Sequence, residues 1–102
     1  MSGTIYIAED VEWSTNSLVF FWLMELISEM VRDEEVATVL REISEANLKW
    51  LYFDDLDDRA QQVIRRYIRD DLMPNAESRL LPRTKERQIV IDSLKELVRL
   101  VT

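Results

Sequence analysis

TIYIAEDVEW, residues 4–13, is the stretch on which the fold turns. Thr4, Ile5, Tyr6 and Ile7 favour extended backbone, because β-branched and aromatic side chains fit a pleated, half-buried surface. Their alternation is loose, however, and a lone strand needs a partner, in this chain or in another. The competing reading starts a helix near Glu9 and leaves residues 4–8 as an extended lead-in.

Everything downstream reads as helix. The capping cluster STNS at 14–17 offers Asn16 or Ser17 as the start of SLVFFWLMELISEMVRD. That segment is apolar nearly all round in its first half, which calls for a central position or a second partner surface. Asp33, followed by Glu34 and Glu35, opens a second helix with Val36, Val39, Leu40 and Ile43 on one face. Asn47 ends or interrupts it, and Leu48 to Phe53 reads as a helix extension or a buried connector. FDDLDD at 53–58 starts a third helix with Asp54 or Asp55 as cap, and Pro74 stops it. PNAESRLLPR at 74–83 reads as a loop, after which Thr84 caps a last helix over 85–101. Its stripe is Ile91, Leu94, Leu97, Val98 and Val101, widened by Ile89 and Val90. The expected fold is all-α: a compact bundle of about four helices in a single domain, 1–102, with at most a short extended N-terminal segment.

The missing residue types exclude most chemistry. Without cysteine there is no disulfide, thiolate nucleophile or thiolate metal site; without histidine, imidazole acid–base catalysis and the usual transition-metal sites go too. One glycine, Gly3, leaves nothing for a phosphate-cradling loop. The longest uninterrupted apolar run, Leu18 to Met24, is far short of a bilayer span, and no basic leader opens the chain; the expectation is a cytoplasmic protein.

Charge is the most informative feature. Residues 1–58 carry 14 acidic and 3 basic side chains, and residues 59–102 carry 6 acidic and 10 basic. The net of −7 therefore conceals a regional −11 against +4. Part of this is used when the halves pack; the surplus would steer a basic protein and repel nucleic acid and anionic membrane. Arg65, Arg66, Arg69, Arg79, Arg83, Lys85 and Arg87 form a weaker basic patch, with pairs such as Arg66–Asp70 expected along the third helix.

Each candidate site has a plain alternative. DDLDD at 54–58 fails the calcium-loop pattern, since Ala60 stands where the turn glycine belongs, so capping explains it more cheaply than a metal. Glu25 and Glu29 lie at the stripe edge, pair with an arginine of the third helix, or face a partner; nothing equips them for catalysis. Trp13, between acidic residues and a polar linker, either folds back onto the bundle or serves as an interface anchor with a charged rim, joined by Tyr6 and Tyr52.

In size, charge and the acidic-aromatic stretches IYIAEDVEW (5–13) and LKWLYFDDLDD (48–58), the chain resembles the small acidic immunity proteins of bacterial toxin–immunity systems, including contact-dependent growth inhibition. That resemblance implies a non-enzymatic inhibitor, without cofactor or metal, that covers a toxin domain, often a basic nuclease. On this expectation Glu9, Asp10, Glu12, Asp54, Asp55, Asp57 and Asp58 face lysines or arginines of the basic partner, and Trp13, Trp50 and Tyr52 supply apolar contact. The alternative is a small self-associating structural or regulatory subunit, a homodimer in the simplest case.

Overall fold

Residues 2–8 do form a strand, and its partners lie in this chain. A computed structural model describes residues 2–79 and 85–102, with the backbone alone for residues 85 and 86. Strand β1 (Ser2–Ala8) alternates regularly between core and open face, with Gly3, Ile5 and Ile7 inward and Thr4 and Tyr6 outward. A hairpin through Glu9 and Asp10 returns as β2 (Val11–Asn16), antiparallel to β1, with a register shift between Tyr6 and Ala8. Strand β3 (Trp50–Tyr52) pairs with the other side of β1 in parallel, giving the order β2-β1-β3.

Five helices complete the described residues: α1 (Ser17–Met30), α2 (Glu34–Glu45), α3 (Asp58–Asp70), α4 (Leu72–Arg79) and α5 (Lys85–Val101), with one 3-10 turn at Phe53–Asp55. The all-α expectation is therefore wrong: the fold joins five helices to a three-stranded mixed sheet. The physical reason is pairing across distance. Leu51 sits in register with Ile5, and the Lys49 carbonyl accepts from Thr4 N–H at 2.9 Å. The β1 half shows a preference for extended backbone in its own pattern, the β3 half does not, and neither reveals the pairing.

The local signals held where they were local. Asn16 caps α1 by accepting from Val19 N–H, and Asp33 caps α2 by accepting from Val36 N–H. Asn47 does end α2: it takes the left-handed conformation (φ 58°), and Leu48 N–H donates to the Ile43 carbonyl at 3.0 Å. This wrapped helix terminus brings Leu48 back toward Ile43. The third cap shifts, since Asp57, not Asp54 or Asp55, accepts from Ala60 N–H at 2.7 Å. Asp54 and Asp55 occupy the 3-10 turn before it.

Pro74 opens no loop. It lies in the first turn of α4, where its missing N–H removes no helical hydrogen bond. Residues 80–84, which include the rest of the expected loop and the Thr84 cap, lie outside the described residues.

One contiguous core joins the inner sheet face to α1, α3 and α5 through Ile5, Trp13, Leu51, Phe20, Ile64, Leu94 and Leu97. Ile91, Leu94, Leu97 and Val101 point inward as expected, but Ile89 is 67% exposed and leaves the stripe. At Gly3, α1 crosses β1 so closely that an added Cβ would lie 2.2 Å from Phe20 Cγ, so only glycine fits.

Candidate functional site

Among the described residues, the helices cover one face of the sheet and leave the other open. On it Thr4 and Tyr6 of β1 face Ser14 and Glu12 of β2 on one side and Trp50 and Tyr52 of β3 on the other. The Tyr6 and Tyr52 rings stack with centroids 4.3 Å apart and planes 6° apart, an arrangement that the parallel register places directly across the strand pair. Tyr6 has its phenol pKa raised, first by the neighbouring Tyr52 hydroxyl, then by desolvation, and further by Glu12. Trp50 and Tyr52 remain 48% and 40% exposed.

Parallel pairing also gathers the carboxylates. Strands β1 and β3 run the same way, so the Glu9–Asp10 hairpin and the Asp54–Asp55 turn that follow them lie at the same end of the sheet. Glu9, Asp10, Glu12, Asp54, Asp55 and Asp58 are exposed, and none forms an ion pair among the described residues. Below this end, half-buried Arg65 places its guanidinium 5.0 Å from the Phe53 ring centroid and donates to the Ile7 carbonyl.

Two sequence-derived site residues take other roles. Trp13 is 3% exposed on the inner face, and its Nε1 donates to the Ser93 carbonyl at 2.8 Å. It ties β2 to α5 and is no exposed anchor; strand alternation, which points Trp13 inward and Glu12 outward, decides this. Asp57 is occupied as the α3 cap.

The open side of β3 adds a feature that sequence reasoning missed. Thr4 N–H donates to Lys49 O, and the register then directs the Leu51 amide and carbonyl at β1. The backbone groups of Trp50 and Tyr52 therefore point away from the sheet, at an edge with which no described strand pairs. A groove of about 220 Å³ runs along that edge, lined by Val39, Ile43, Leu48, Leu56 and Asp55 among others. The Asn47–Leu48 helix terminus was the local signal that could have located it.

Several other charges pair within the fold. Arg59 bridges Asp33 and Glu35, while Glu29 pairs with Arg79 of α4, not with an arginine of α3. Glu25 accepts from Ser44 Oγ at 3.3 Å. Asp70 forms its ion pair with adjacent Arg69, and the expected Arg66 acts on it only through its charge at longer range. Arg83 and the Lys85 side chain lie outside the described residues. Among the described residues no group of three or more acidic side chains is placed to hold a metal ion, and no helix is long and apolar enough to cross a membrane.

Set against known proteins, the chain matches no family model, no curated protein and no solved structure.

Proposed function

We propose that this protein is a binding inhibitor that neutralises a basic partner, in the manner of an immunity protein against a toxin domain, by steric and electrostatic occlusion. The observation that carries the reading is the convergence of unpaired carboxylates with exposed Trp50 and Tyr52 at one end of the open sheet face. Carboxylates at such a rim raise the encounter rate with a cationic surface, and a large half-exposed aromatic fills an apolar pocket and excludes water around the contacts. In this reading Glu9, Asp10, Glu12, Asp54 and Asp55 face lysines and arginines, with Asp58 at the border. Trp50 and Tyr52 make the apolar contact in place of Trp13.

The test is co-purification with the product of the neighbouring gene, followed by association kinetics against salt. The association rate is expected to fall steeply as salt rises, because exposed charges are screened over roughly 8 Å at physiological ionic strength. Trp50→Ala is expected to weaken the complex about 30-fold, equivalent to roughly 2 kcal/mol. A rate indifferent to salt removes the electrostatic part. The outer edge of β3, unpaired among the described strands, favours one rival, pairing with a second copy. A solution mass that doubles with concentration, with no partner captured, would put that rival ahead.

A further inference from the structure

Nearly every described arginine is committed. Arg41 reaches Glu34 and the Ala37 carbonyl, Arg59 binds Asp33 and Glu35, and Arg65 donates to Ile7. Arg69, Arg79 and Arg99 hold Asp70, Glu29 and Glu96, and Arg87 is engaged as well. Among the described residues, Arg32 and Arg66 are the two arginines whose side chains make no hydrogen bond or ion pair. Both line one cleft of about 510 Å³, between the α1–α2 connection and α3.

The rest of that lining suits a ligand with two ends. Met30, Val31, Val63 and Tyr67 contribute apolar surface, and Asp33 and Asp71 complete the wall. Asp33 is already held by Arg59 and by the Val36 amide it caps, which leaves Asp71 as the one opposing carboxylate without an ion pair. Two guanidinium groups with no side-chain hydrogen bond or ion pair thus lie in one cleft of a chain with 20 acidic side chains, although the Arg66 charge also reaches Asp70. Guanidinium presents a rigid fork of donors that matches carboxylate and phosphate oxygens, and it loses less hydration than an ammonium on being covered. The volume falls in the range of small-molecule sites, which combine apolar lining with a few directed polar groups.

We propose that this cleft binds a small amphipathic anion, a carboxylate or phosphate monoester on an apolar body, with Arg32 and Arg66 gripping the head and Met30, Val31, Val63 and Tyr67 covering the body. A nucleic-acid backbone is a poorer fit, because two cations in an acidic chain release few counterions. The cleft shares no residue with the acidic-aromatic surface, so the two proposals stand or fall separately.

The experiment titrates the full chain, followed by nuclear magnetic resonance, with decanoate and decyl phosphate below their micelle-forming concentrations. Decanol and decyltrimethylammonium serve as controls. Saturable shifts are expected at the Arg32 and Arg66 side chains and the Met30 and Val63 methyls, with both anions bound at least about fivefold more tightly than decanol. The Arg32→Gln/Arg66→Gln double variant should erase that advantage, leave decanol binding unchanged and melt like the parent. Equal affinity for decanol and decanoate, preference for the cation, shifts located elsewhere, or no saturable binding would each overturn the proposal.

Discussion

Trp13→Phe and Trp50→Phe are the same chemical change at two sites, and the structure predicts opposite outcomes. Trp13 is 3% exposed and donates to the Ser93 carbonyl, 80 residues away, at 2.8 Å. Replacing the indole removes that bond from a carbonyl that lies within α5, a loss of about 1 kcal/mol. The smaller ring also forfeits roughly 40–50 Å² of buried apolar area, about another 1 kcal/mol at ~25 cal/mol per Å². The total of about 2 kcal/mol should lower the melting temperature by on the order of 10 °C for a domain of this size. Trp50 is 48% exposed, its indole makes no hydrogen bond among the described residues, and Trp50→Phe should stay within about 0.5 kcal/mol of the parent. Urea unfolding followed by circular dichroism measures both. A Trp13→Phe variant with unchanged midpoint and slope would refute the assignment of Trp13 to the core. In partner binding the order should reverse, with Trp50 substitutions weakening the complex and folded Trp13→Phe binding normally.

Gly3→Ala should cost about 3 kcal/mol, near the upper end for overpacking, since its Cβ would meet Phe20 Cγ at 2.2 Å where an ordinary carbon contact is about 3.5–4.0 Å; near-normal stability would refute this close crossing of β1 and α1. Asp57→Ala should destabilise by about 1 kcal/mol through loss of the α3 cap, whereas Asp54→Ala should leave the unfolding midpoint in place. Burial raises the Tyr67 phenol pKa, only partly offset by the hydrogen bond from Asn75. A pKa raised in the folded state gives stability that is complete below the unfolded value near 10 and declines as pH rises through the folded one. Alkaline unfolding should therefore be less steep in Tyr67→Phe, measured by melting temperature from pH 9 to 11.

What the sequence settled by itself about this protein is the short-range part. The Asn16 and Asp33 caps are hydrogen bonds to an amide three residues on, so their pattern is complete within four positions. The inward stripe of α5, Ile89 apart, was legible from spacing alone, as was the loss of thiol and imidazole chemistry. Tertiary structure decided the rest, because strand pairing is a contract between distant segments. Trp50–Tyr52 is too short to show a period, and it becomes a strand only because β1 supplies the register. The same pairing sends Trp13 inward, stacks Tyr6 on Tyr52 and brings the 9–10 and 54–55 carboxylates to one end of the sheet. Charge counting could find those acids; only the parallel β1–β3 contact puts them on one surface.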